Sequence, residues 1–140
     1  MPKFTVESTS HLPVYRQRPY DAATPAEACR QAIEDDDWSA EKFDCMLPGE
    51  TYVTGIWAVS HGVYRCCSVA VPSQFHEMVQ RKAGHFQELF DQLAYVAQPM
   101  GLSRTDFERW LPTAIAAVEK AKAIIEERRD PDEQTEPPGS

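Results

Sequence analysis

Apolar and polar positions alternate at the start of the chain, where KFTVES puts Phe4 and Val6 on one face, the period-two mark of a half-buried strand. VYRQRPYDA follows after His11-Leu12-Pro13 as a second extended segment. Pro19 removes one ladder donor from it, which predicts an edge strand, and its closeness to the first predicts a hairpin of the two. Leu47 to Glu50 is a turn by its Pro-Gly pair, and TYVTGIWAVS after it is rich in β-branched and aromatic residues. Tyr52, Thr54, Ile56 and Ala58 share one face of that strand, and Val53, Gly55, Trp57 and Val59 the other. Bulk on both faces predicts a central strand. A turn at His61-Gly62 leads into VYRCCSVAV, a partner strand ended by Pro72.

The period changes to that of a helix in three places. TPAEACRQAIEDDDW opens with Thr24 as N-cap, Pro25 at the first helical position and Glu27 three residues after the cap, a capping box with its favoured proline. Ala28, Cys29, Ala32 and Ile33 give it a narrow apolar stripe suited to lying against a sheet, with Arg30, Gln31, Glu34 and Asp35 outward. From Ser73, its natural cap, a long amphipathic helix is predicted to about Ala97 on Phe75, Met78, Val79, Phe86, Leu89, Phe90, Leu93 and Val96. A last helical region starts at Ser103 or Thr105. Pro112 is expected to divide it into a short turn at FERWL and a longer helix, whose packing face is Ile115, Val118, Ala121 and Ile125.

The order strand, strand, helix, strand, strand, helix, helix predicts an α+β fold: a small antiparallel sheet of about four strands with one packed helix, then a C-terminal helical hairpin. Residues 1–72 make the sheet-plus-helix part and residues 73–129 the hairpin, as one compact domain. Residues 130–140, with three prolines and no apolar residue to bury, are expected to be a disordered acidic tail. The two C-terminal helices could also pair with those of a second copy, making a homodimer bundle.

Composition narrows the function classes. The formal net charge is -8, from 14 Lys plus Arg against 22 Asp plus Glu, so direct binding to nucleic acid or to an anionic membrane surface is not expected. The chain shows neither a signal peptide nor an apolar run near the ~18 residues of a membrane span, which predicts a cytoplasmic protein with its four cysteines as free thiols. HExxH fails because Gln80 stands where the second histidine should be, CxxC is missing, and the six glycines form no phosphate-binding loop. No cofactor is expected, no metal, and no catalytic residue; the protein is read as a non-enzyme. The alternative is a small metal- or thiol-dependent enzyme or regulator, using Cys45, His61, Cys66 and Cys67 between the strands.

One stretch is electrostatically odd. IEDDDWSAEKFD, Ile33 to Asp44, holds six carboxylates and one lysine at a helix C-terminus, where acids oppose the macrodipole and repel one another. A solvated loop entry would tolerate them at physiological salt. The spacing of a calcium loop is missing. A surface of Glu34, Asp35, Asp36, Asp37, Glu41 and Asp44, with Trp38 as an anchor, would instead recognise a basic protein, since a carboxylate row offers Arg forks the same oxygen acceptors as phosphate. YDAATPAEACRQAIEDDDW and GETYVTGIW, within about the first 60 residues, resemble small uncharacterised accessory proteins of bacterial plasmids and integrated mobile elements. That resemblance implies an accessory protein of mobile DNA. Small acidic proteins of this kind include anti-CRISPR and anti-restriction inhibitors, which fits a nucleic-acid mimic that blocks a nucleic-acid-binding defence protein.

Overall fold

The computed structural model describes residues 1–46, 48–60 and 63–133, without the side chains of Ser60 and residues 63–66. These form an α+β fold: β1 (Lys3–Thr9), β2 (Val14–Tyr15), α1 (Pro25–Glu34), β3 (Lys42–Phe43), β4 (Tyr52–Ser60), β5 (Val63–Val69), a 3-10 turn (Ser73–Phe75), α2 (Met78–Val96) and α3 (Arg104–Ile125). The expected turn at His61-Gly62, Leu47 of the LPGE turn and the expected tail from residue 134 onward lie outside the described residues. The chain divides into two units, Met1–Thr9 with Thr51–Ser140, and the segment Ser10–Glu50 inserted between β1 and β4.

In the larger unit the strand order is β1-β4-β5, antiparallel throughout, with β4 central. The predicted hairpin of the first two strands does not form. β1 pairs with β4, Phe4 opposite Ala58 and Val6 opposite Ile56, while the two residues of β2 pair with β3. The physical reason is length: seven residues of β1 need a partner of similar run, and VYRQRPY offers two before its arginines and Pro19. In β4 the Trp57 ring lies over Gly55, where a Cβ would stand 2.4 Å from Trp57 Cη2, so a side chain there would have to displace the indole.

α2 and α3 run antiparallel: His85 Nε2 donates to the Ala117 carbonyl at 2.7 Å, and Trp110 Nε1 to the Gln92 carbonyl at 3.2 Å. Ser73 does not cap α2. Its buried hydroxyl donates to Glu133 and accepts from the Asp130 N–H at 2.8 Å, and the helix begins at Met78 after Glu77, which makes no side-chain cap. Ser103 does cap α3, accepting from the Asp106 N–H. Pro112 sits inside α3 without dividing it, since Pro112 and Glu108 are both exposed and water can take the carbonyl that the missing N–H leaves.

The packing face of α3 lies one residue away from the expected one. Ala114, Ala117 and Ile124 are buried, whereas Ile115, Val118 and Ile125 face water. Small side chains let the two backbones approach closely, and the closer approach wins. After α3 the chain reverses through Glu127 at φ 57, with Arg128 N–H returning to the Ala123 carbonyl and Glu127 N–H to that of Ile124. This is a Schellman turn. It brings the Arg128 carbonyl and the Asp130 carboxylate to Arg81 of α2, each at 2.7 Å from Nη2, so the first residues of the expected tail are tied to the hairpin.

Candidate functional site

The inserted unit Ser10–Glu50 contains the acidic run, and its geometry begins with β2 and the extended residues after it. Along Arg16 to Tyr20 burial alternates, so that Arg16, Arg18 and Tyr20 face inward and Gln17 and Pro19 outward. The inward three meet the C-terminal end of α1. This helix is capped as its sequence demands, Thr24 Oγ1 accepting from Glu27 N–H at 3.2 Å, and the Glu27 carboxylate reaching back to Ala23 N–H at 3.4 Å. Its apolar stripe is not buried, however: Ile33 is 84% exposed and no residue of α1 is fully covered.

Arg16 organises the other end. Its side chain is only 7% exposed and donates to the carbonyls of Ala32 (2.8 Å), Asp35 and Asp37, while the guanidinium lies 4.1 Å from the centroid of the Trp38 ring. Carbonyls of a last helical turn have no partner of their own, and a cation there also meets the negative end of the dipole. Acids at a helix C-terminus are thereby compensated by a buried cation that the local sequence does not contain. Trp38 is a lid on Arg16 and is itself 45% exposed.

The carboxylates then fall into two sets. Asp35 accepts from Arg18 Nη1 and from the Tyr20 hydroxyl, both at 2.7 Å, and from Asp37 N–H at 3.0 Å. Asp35 thus points inward, contrary to its expected outward position, because the Arg18–Tyr20 face supplies donors. Asp37 lies 3.3 Å from Arg18 Nη2 and accepts from Ser39 N–H, and Asp44 accepts from Met46 N–H, each at 3.0 Å. These three i to i+2 bonds are Asx turns, so the aspartates also shape the loop. The Asp37 N–H, then the Tyr20 and Arg18 donors, hold the Asp35 carboxyl at about 2 from an ordinary 3.8. Asp37 is lowered too, first by Ser39 and then by Arg18. The hydrogen bond to Asp35 in turn raises Arg18 and Tyr20 above their usual values.

Glu34, Asp36 and Glu41 form the second set, exposed, and their carboxylates make no hydrogen bond or ion pair among the described residues. Of the residues expected to form one surface, the structure therefore engages Asp35, Asp37 and Asp44 locally and leaves these three to solvent. The sequence signal for Arg16, Arg18 and Tyr20 was the R-x-R-x-Y alternation, whose meaning depends on what the segment faces.

Of the alternative cysteine set, Cys45 and Cys67 are exposed, as is Cys29; Cys45 and Cys67 belong to different units, and His61 and the Cys66 side chain lie outside the described residues. Among the described residues no three His, Cys, Asp or Glu side chains gather in a way that could hold a metal ion, and no helix is long and apolar enough to cross a membrane. No protein-family profile matches the chain, and neither a curated protein nor a solved structure matches it at a significant level.

Proposed function

We propose that the protein is a non-catalytic recognition module that binds a basic protein through the end of α1 and the loop after it. The observation that supports this reading is the anchoring of that segment by Arg16, which holds Glu34, Asp36 and Glu41 outward on a framework already ordered before any partner arrives. Pre-ordered groups lose little freedom on binding, and a unit with nine acids against four bases steers a cationic partner toward itself. Following the resemblance to accessory proteins of mobile elements, the partner is a cytoplasmic defence protein whose nucleic-acid groove is lined by Lys and Arg, and the module acts as its inhibitor. A second copy of the chain, through the C-terminal helices, is the other partner, and it uses a different unit.

The test isolates partners by affinity capture from the native host and titrates the captured complex with the unaltered chain and with a Glu34→Gln, Asp36→Asn, Glu41→Gln triple variant. Asp35 and Asp37 are left in place because they hold the loop. Weaker binding by roughly tenfold or more and a shallower salt dependence are expected. Equal affinity and equal salt dependence would sink the proposal.

A further inference from the structure

Each helix of the C-terminal hairpin carries two seams at alternating three- and four-residue spacing, displaced from one another by a single residue, of which the outer is apolar. The first seam closes the hairpin: His85, Leu89 and Gln92 of α2 meet Ala114, Ala117 and Trp110 of α3. The second is open. On α2 it comprises Val79, Phe86, Phe90 and Leu93, with Ala83 between. On α3 it comprises Leu111, Ile115, Val118 and Ile125, interrupted only by Lys122. Its large side chains are between 37% (Leu111) and 71% (Ile125) exposed.

Handedness decides where the two open seams point. The next residue of a right-handed helix lies about 100° further round, and in two antiparallel helices that face each other these two rotations turn toward the same side. The open seams therefore form one continuous face, and Leu93 and Val118 line a single groove between the helices. The hairpin thus buries Ala114, Ala117, Ala123 and Ile124 with Arg81 and His85, and leaves Phe86, Phe90, Leu93, Ile115 and Ile125 exposed.

We infer that this face is the interface of a homodimer, in which two hairpins related by a twofold axis pack their open seams together as a four-helix bundle. Eight large side chains at these exposures present about 800 Å² of apolar surface, more than the ~300–600 Å² patch of an ordinary monomer and close to the ~800 Å² each partner gives to a stable interface. Heptad-type spacing on two adjacent seams is what a bundle helix with two neighbours needs, and among the described residues each of these helices has one helix packed along it. Residues 134–140 contain nothing apolar larger than proline, and α1 offers small side chains beside Ile33. An identical hairpin has the right length, the right area and the commonest symmetry of association. This inference specifies the second-copy reading and is independent of the acidic surface.

The experiment is equilibrium sedimentation of the full chain under reducing conditions at about 1 to 100 μM, together with thermal unfolding across the same range. A species of twice 15.8 kDa is expected, with a melting temperature that rises with concentration. Phe90→Arg and Ile115→Arg, each at an exposed position of the seam, are expected to weaken the dimer by roughly a hundredfold or more. If a variant unfolds as it dissociates, the concentration dependence of the unaltered chain still decides. A 15.8 kDa species at every concentration with a constant melting temperature, the result if Ser10–Glu50 or another protein covers the face, would overturn the inference. So would a dimer that survives both substitutions.

Discussion

Three carbonyls and an indole converge on Arg16, and a lysine could not reproduce that set, because an ammonium donates from a single point and has no flat face to place against Trp38. Arg16→Lys is expected to destabilise the inserted unit by roughly 1.5–3 kcal/mol, the worth of a charged hydrogen bond left unmade, with lost amide-exchange protection in the last turn of α1 as its local signature. Asp35 makes a pH-dependent contribution to the same knot. Its carboxyl titrates at about 2 in the folded chain against an ordinary 3.8, so folding favours the ionised form. That stabilisation is complete above pH ~4, declines as pH falls toward 2 and is absent below. In an NMR titration the Trp38 indole should shift across this window in the unaltered chain, whereas Asp35→Asn should be less stable at neutral pH and show a flatter response between pH ~4 and ~2; equal responses would exclude the role given to Asp35. The acids themselves were legible in the sequence. Their partners were not, because Arg16, Arg18 and Tyr20 acquire their role only when an extended segment some fifteen to twenty residues upstream is laid against the helix end.

At the scale of elements, local chemistry located most boundaries and misjudged the contacts between them. The Thr24–Pro25–Glu27 cap and the Ser103 cap are where the sequence puts them, since caps depend on residues within one turn. Periodicity puts the face of α3 one residue away from where it lies, as it marks the run of large apolar side chains while the helix pair closes mainly on alanines, with Ile124 beside them. Ser73 was read as a cap, although its hydroxyl is taken by Asp130 and Glu133, nearly sixty residues away. The end of α3 carries a testable cost of its own. Glu127 adopts φ 57 at the residue where a Schellman turn favours glycine, and a side chain in that conformation costs roughly 1–2 kcal/mol, part of which glycine returns through its freedom in the unfolded chain. Glu127→Gly is therefore expected to raise stability by up to about 1 kcal/mol in denaturant unfolding; a loss of stability would mean that the Glu127 side chain contributes more than its backbone costs.

On the scale of the whole molecule, the α+β class and the central place of β4 followed from patterns within single segments, but the insertion did not. β1 and β4 pair across the entire Ser10–Glu50 unit, Thr9 opposite Tyr52, and nothing in a local pattern reveals that two strands so far apart are neighbours. The insertion closes its base with Gly49 N–H to the His11 carbonyl at 2.9 Å, and the larger unit continues its ladder at Thr9 and Tyr52. The proposed acidic surface lies wholly in the insertion and the proposed dimer face wholly in the hairpin, so the two functions should separate. Replacing Ser10–Glu50 by Asn-Gly, which favours the tight turn between antiparallel strands, is expected to leave α2, α3 and the dimer intact while abolishing binding to the basic partner. Circular dichroism, sedimentation and titration with the captured partner read the three outcomes in one preparation. Loss of the dimer in a chain that retains its helices would place part of the interface in the insertion. Retained binding would move the recognition surface out of it.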